Sequence, residues 1–292
     1  MKNNKLLKHI SLVIAFIFIF SIFVYADSST VVTLGKDLNT NQRKQILDIF
    51  GVNEEEITII EVNNQEERAY LEGVATEAQL GKITMSSAYV QLLEEGSGIE
   101  VETYNISWVT REMYQSALVT AGVKDARVIA AAPFPVSGTG ALTGIIKAFE
   151  QATGERISEE QKKVANEEIV QTGKLGEEIG KEKATELIRV VKEEVIEKRL
   201  KNPEEIKKVV VDIAARLDIN LHMDQIEEIA GLMKKINSLN LDTKEIREQL
   251  KGISEKIDQT LKDNEEVKSL LQKIIDMIND LFKSLFGMLW DK

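Results

Sequence analysis

Apolar and polar positions change rhythm along this chain. Val31-Val32-Thr33-Leu34 is a short apolar run that predicts a strand, and Asn39-Thr40-Asn41-Gln42 has the form of a capping box that predicts a helix from Arg43 to Phe50, stopped by Gly51. Ile57-Thr58-Ile59-Ile60 predicts a second strand, and Asn64 to Leu71 a short helix. From Ile99, apolar Ile99, Val101 and Thr103 alternate with Glu100, Glu102 and Tyr104. With the Met85 to Leu93 stretch and the intervening Glu95-Gly96-Ser97-Gly98, this predicts a hairpin reaching Trp108. Thr110 opens a helix to about Ala121, Gly122 ends it, Arg127 to Ala132 is an apolar strand, and a helix follows from about Gly140 to Thr153. Strands and helices alternating around a hairpin imply an α+β fold, a two-layer domain with a mixed sheet.

Beyond Gly154 the strand pattern stops and helical signals take over. Ser158-Glu159-Glu160-Gln161 is a capping box, and Asn202-Pro203-Glu204-Glu205 places an N-cap, a proline at N1 and a Glu at N3. Leu241 and Ile246 around Asp242 form a hydrophobic staple. Helices are expected over residues 158–200, with a break around Gly173, Gly176 and Gly180, and over 203–217, 223–238 and 243–287. In the last, Ile246, Leu250, Ile253, Ile257, Thr260, Asn264, Val267, Leu271, Ile274, Ile278, Leu281 and Leu285 recur in steps of four and three, an apolar seam interrupted at Thr260 and Asn264. A helix that long extends on the order of 65 Å, more than a compact domain covers, so the seam needs a partner. The partner is the chain's own helices between Ser158 and Ser238, a second copy, or a membrane surface met by Phe282, Phe286, Leu289 and Trp290. The membrane is the least supported, because residues 262–292 carry five basic and six acidic side chains, and interfacial helices usually present a basic face. The expected organisation is residues 1–26, 27–154 (α+β), 155–240 (helical) and 241–292 (a long amphipathic helix).

Residues 1–26 read as a signal peptide. Lys2, Lys5 and Lys8 precede an uncharged apolar run from Ile10 to Val24, and Val24-Tyr25-Ala26 provides a cleavage site before Asp27. The run is shorter than the roughly 20 apolar residues that span a bilayer. An extracytoplasmic protein, secreted or envelope-associated, is therefore expected. Removing those three lysines takes the net charge from −11 to −14, which makes nucleic acid a poor partner. Cysteine is absent, excluding disulfides, thiolate metal sites and a lipidated cysteine.

Little in the chain has the spacing of chemistry. After Ala26 the single histidine is His222, so a catalytic triad has one place to recruit its base. Asp37-x-Asn39-x-Asn41 with Asp48 imitates half of a calcium loop, but Gln42 stands where the sharp turn needs glycine, and helix capping explains the same residues. Asn105-Ile106-Ser107 matches a glycosylation acceptor inside a predicted strand. The best candidate site is the Ser137 to Gly144 loop, between a strand and a helix. There Gly138, Gly140 and Gly144, with Ser137 and Thr139, space as GxGxxxG, and helix N-terminal amides there suit an anion or an envelope fragment. No further strand and no suitably placed acid completes a dinucleotide unit, and a structural turn with close helix packing at Gly144 is the simpler explanation of the glycines.

Trp108-Val109-Thr110, Met113-Tyr114, Ala117 to Val123, Ser86-Ser87-Ala88 and, above all, Pro133 to Gly144 resemble the YpuA family of secreted bacterial proteins, over roughly residues 27 to 250. The resemblance implies a signal peptide, an extracytoplasmic location and a domain of unknown function. The resulting expectation is a non-enzymatic binding or structural protein with no cofactor, whose partner is an envelope protein or cell-wall component. Self-association or membrane contact through the C-terminal helix stays open, as does a carboxylate-dependent envelope hydrolase with its site near the Ser137–Gly144 loop.

Overall fold

The computed structural model describes residues 30–239 together with 241, 242, 244, 246, 248 and 249. Five strands, β1 (Thr30–Gly35), β2 (Thr58–Val62), β3 (Ser87–Leu92), β4 (Ile99–Ile106) and β5 (Ala126–Val136), form one mixed sheet in the order β2-β1-β3-β5-β4. Among the described residues the helices are α1 (Thr40–Phe50), α2 (Asn64–Leu71), α3 (Glu77–Leu80), α4 (Arg111–Ala121), α5 (Thr139–Thr153), α6 (Glu159–Ile179), α7 (Lys181–Glu197), α8 (Pro203–Arg216) and α9 (Met223–Ser238). The fold is α+β, as the change of period predicts. The sheet contains two parallel units, β1-α1-β2 and β4-α4-β5, and β3 joins them by running antiparallel to both β1 and β5.

The expected hairpin is not formed, because β5 lies between β3 and β4. The reason is burial on two faces. Val128 and Ala130 on one side of β5, and Ile129 and Ala131 on the other, are all buried. A strand apolar on both faces belongs inside the sheet, whereas β4, with Glu100 and Tyr104 exposed and Glu102 only part-covered, tolerates an edge. The 93–98 turn is instead tied to the start of β5: Leu93 N donates to Asp125 O (2.7 Å), Ala126 N to Gly98 O (3.1 Å) and Gly98 N to Asp125 Oδ1 (2.9 Å). Asn105 sits at an irregularity in β4 with φ 57°, and its side-chain amide donates to Ala132 O at 2.9 Å, so the glycosylation-like triplet is part of the sheet's own bonding.

Helix α1 covers one face of the sheet, where Ile46, Leu47 and Phe50 meet Val32, Leu34, Tyr89, Ile129 and Ala131. On the opposite face α4 and α5 pack on Val31, Ala88, Val90, Val101, Val128 and Ala130, and the same cluster runs on without interruption through α6 to α9. The sheet and its helices, the two layers expected, thus gain a third on the α1 side. Residues 155–239 share a core with the α+β part instead of trailing from it. The capping signals act where they were read: Asn39 with Gln42 on α1, Ser158 with Gln161 on α6, and Asn202 before Pro203 on α8. The helix expected over 158–200 is divided at Gly180 (φ 93°, ψ 139°), a backbone conformation that glycine adopts freely. The 243–287 helix lies outside the described residues except at its start, where Ile246 N donates to Asp242 O at 3.0 Å.

One buried ionic cluster ties the helices together. Lys192 of α7 donates to Glu168 Oε1 of α6 (2.7 Å), to Ser116 O and Oγ of α4 (2.8 Å each) and to Thr120 Oγ1 (3.0 Å). Ser116 Oγ and Thr120 Oγ1 in turn donate to the two Glu168 oxygens at 2.6 and 2.5 Å. Both charged side chains are 1% exposed. Breaking such a pair strands a charge, at about 3–5 kcal/mol, whereas replacing both members with apolar side chains is far less costly. Lys192→Met is therefore expected to lose stability on that scale by denaturant titration, and Lys192→Met/Glu168→Leu to recover most of it. A double variant as unstable as the single would mean that the pair contributes more than mutual neutralisation.

Candidate functional site

The Ser137–Gly144 loop connects β5 to α5, as its sequence position predicts. Gly138 caps the helix with φ 94°. Tyr114 of α4, fully buried, donates its hydroxyl to Gly138 O, and Trp108 N and Val109 N both donate to Ser137 O (3.3 and 3.1 Å). Burial pushes the Tyr114 phenol well above its ordinary range. These contacts join four of the blocks that carry the family resemblance: Trp108-Val109, Tyr114, Ser137-Gly138 and, through Gly144, the strand holding Ala88.

Each glycine of the motif is filled by a neighbour. A Cβ on Gly138 would overlap Ile106 and the Tyr114 hydroxyl, one on Gly144 would lie 2.6 Å from Thr33 Oγ1, and one on Gly140 would overlap the carboxyl of Glu67. Gly138, Thr139, Gly140 and Gly144 are buried and Ser137 is half-buried at the rim. The first turn of α5, expected to suit an outside anion, already faces a carboxyl of the chain itself.

Glu67 was missed by sequence reasoning. It lies on α2, whose start is fixed by Asn63 and Glu66 in a capping box, and the residue is only 4% exposed. Its Oε1 accepts no hydrogen bond among the described residues, and neither the hydroxyls of Thr33, Thr84 and Thr143 nor Asn64 Nδ2 has a partner there. Burial raises its pKa from 4.5 to about 7, and Asp37 and Glu66 push the same way; Thr84 and Asn64 turn polar groups towards the carboxyl and hold part of the rise back. A carboxyl neutral near pH 7 is able to act as a general acid, but this one is buried against Gly140.

The other candidates take structural places. Ser116 and Lys192 have the contact of a nucleophile and its base, but they lie within the sealed cluster described above. His222 is exposed before α9, where its backbone N–H donates to Gln225 Oε1 at 2.7 Å. Asp37 Oδ2 accepts from Thr84 N (2.8 Å), Asn39 caps α1 and Asp48 pairs with Lys44, so the calcium-like spacing is distributed over a cap and a helix face. A cavity of about 30 Å³ among α6, α7 and α9, lined in part by Gln171, Lys174, Glu178 and Gln225, has room for about two waters and no more. Of the C-terminal seam, Ile246 is described: it is 5% exposed and belongs to the main core. Nearby, Gln249 Nε2 lies 3.4 Å from Asp125 Oδ1. Leu250, Ile253, Ile257, Val267, Leu271, Ile274, Ile278, Leu281 and Leu285 lie outside the described residues.

A family model described as "Protein of unknown function (DUF1002)" matches residues 34–253. The chain is 42% identical over 226 residues to "Uncharacterized protein YpuA" of Bacillus subtilis (strain 168), covering 77% of this chain and 78% of that protein. No solved structure matches.

Two outcomes follow from this geometry. In a helix, Gly→Ala ordinarily gains about 1 kcal/mol, so a loss at Gly140 isolates the Glu67 contact. Gly140→Ala is expected to destabilise the protein by a net ~1–3 kcal/mol through overpacking, and to become neutral or stabilising in a Glu67→Ala background, as read by thermal melts. Truncation after Asn240 removes Ile246 from the core and is expected to cost about 1.5–3 kcal/mol. A truncated protein of unchanged stability but halved mass in solution would instead assign the seam to a second copy.

Proposed function

The chain belongs to the DUF1002 family, and from that premise we propose that it is an exported, envelope-associated protein acting as a binding or structural element rather than as an enzyme. The observation carrying this reading is where the chain spends its reactive groups. Ser116 and Lys192, the pair nearest to a nucleophile and base, are used with Glu168 to join three helices in the interior, beyond the reach of a substrate. The basic n-region, apolar run and Val24-Tyr25-Ala26 site support export, and the apolar seam that Ile246 begins is the element assigned to contacts made with the rest of this chain or with an envelope partner.

One observation favours the hydrolase alternative: Glu67, with its raised pKa of about 7, lies against Gly140 in the loop singled out from sequence. Its burial weighs against that alternative, since a substrate would need α2 to move aside.

The test is the native protein itself. Intact mass of the endogenous product, recovered from the medium or the outer surface of the membrane, is expected to correspond to a chain beginning at Asp27. A full-length product retained in the cytoplasm would overturn the proposal.

A further inference from the structure

We propose that Glu67 is a proton-operated latch: in its neutral form it holds α2 and the residues leading from it to β3 against the first turn of α5, and its ionisation releases them. The geometry sets the terms. The carboxyl is 4% exposed and pressed against Gly140, its Oε1 accepts no hydrogen bond among the described residues, and Thr84, ahead of β3, and Asn64 turn polar groups towards it. Those donors favour the carboxylate, but burial favours the acid and outweighs them.

Among the described residues no lysine or arginine is bonded to this carboxylate, and Lys36, after β1, acts on the neighbouring Glu66. Lys147 of α5 is held by Glu66 Oε1 and Glu61 O (2.6 and 2.7 Å), Arg68 by Glu77, Gly81 O and Asn64, and Lys174 of α6 by Val74 O (2.8 Å). The charges that do act on Glu67, Asp37 after β1 and Glu66 on its own helix, are both acidic, and the group facing it from α4 is the buried Tyr114. Burial and these acids together favour the neutral form up to about pH 7.

The segment that the latch holds is fastened otherwise mainly by polar contacts. Helix α2 is tied by Tyr70 to Glu159 (2.9 Å) and by Glu66 to Lys147 (2.6 Å), and between α2 and β3 lie the Leu71–Leu80–Val170 contact, the Arg68 bonds to Glu77 and Gly81 O, the Lys174 bond to Val74 O, and the exchange in which Thr84 N donates to Asp37 Oδ2 (2.8 Å) and Asp37 N to Thr84 O (3.3 Å). Thr84 is both one end of that segment and a neighbour of the carboxyl, so a change of charge at Glu67 acts on the segment directly. The sign follows from linkage. Closed, the group has a pKa of about 7; opened to water it returns towards 4.5, so the closed state binds the extra proton. Closure is therefore most favoured below pH 4.5 and is lost as the pH rises through 7. Between pH 5.5 and 8.5 these two values imply an opening equilibrium that grows on the order of 30-fold.

Hydrogen exchange of residues 64–86 in the intact protein, corrected for intrinsic exchange, tests this at pH 5.5 and 8.5. The wild type is expected to open about 30-fold more at the higher pH, and Glu67→Gln to stay closed at both. Equal protection of the wild type at the two pH values would overturn the proposal, as would a Glu67→Gln protein that keeps the wild-type dependence. Restoration of protection at pH 8.5 by sodium, potassium, calcium or magnesium ions would also overturn it, because a metal ion and not a proton would then be neutralising the carboxylate. Should Glu67→Gln fail to fold, the wild type's infrared carboxyl band decides: absence at pH 5.5 of a protonated-carboxyl band that titrates near neutrality sinks the proposal.

Discussion

The fully buried Glu168–Lys192 pair is the constraint on which the arrangement of the two halves depends. Its members come from α6 and α7, and the hydroxyls that complete it, Ser116 and Thr120, come from α4, the crossover helix of a parallel unit in the sheet. Burying either charge alone costs several kcal/mol, and that cost is met only when all three helices are in register. An apolar contact among the same helices would tolerate a slide of a turn with some loss of packing. The ionic cluster does not, because a slide leaves a lysine or a glutamate without its partners in the interior. The helical half is thereby held in one position against the sheet, and the continuous core from β1 to α9 can form around it.

Glu67 is the same residue type under the same burial with the opposite solution. Glu168 has a lysine at 2.7 Å and two hydroxyl donors. Glu67 has acids for charged neighbours, and its Oε1 accepts no hydrogen bond among the described residues. The first arrangement sets a carboxylate against a cation and two hydroxyl donors in the interior; the second has no bonded cation and favours a proton. A fixed charge pair therefore sits at the α4–α6–α7 junction, and a carboxyl whose charge is adjustable at the edge of α5, where α2 packs.

The sequence made local structure legible where a cap or a period carried it. Asn39 with Gln42, Ser158 with Gln161 and Asn202 with Pro203 each mark a helix start because the side chain that satisfies the orphan amide is itself in the sequence. The order of strands was not legible, because alternation in β4 specifies a wet face but not a neighbour, and the two-sided apolar character of β5 had to be weighed against it. The buried charges were hidden differently. Lys192 lies on the apolar stripe of α7 with Leu187, Ile188, Val191, Val195 and Ile196, and Glu168 on that of α6 with Val164, Ala165 and Thr172. A charge at a stripe position is a usable signal, but 48 acids and 37 bases in the chain make it faint. For α2, eight residues long, there are too few turns to define a stripe at all, which is why Glu67 gave no sign.

The GxGxxxG spacing shows how one pattern serves two physical ends. In a dinucleotide fold such glycines let a backbone approach a phosphate, and the helix N-terminus then supplies favourable dipoles. Here each glycine admits a different side chain of the same molecule: Tyr114 and Ile106 at Gly138, Glu67 at Gly140, Thr33 at Gly144. These contacts come from β1, α2, α4 and β4, so the loop is where four separate parts of the chain converge on α5. The spacing follows from helix geometry, since residues one turn apart face the same side, and the sheet and α2 press on that side together. With its close-approach positions taken by side chains, the loop needs no ligand to account for its glycines. What remains adjustable there is the charge on the one carboxyl among them.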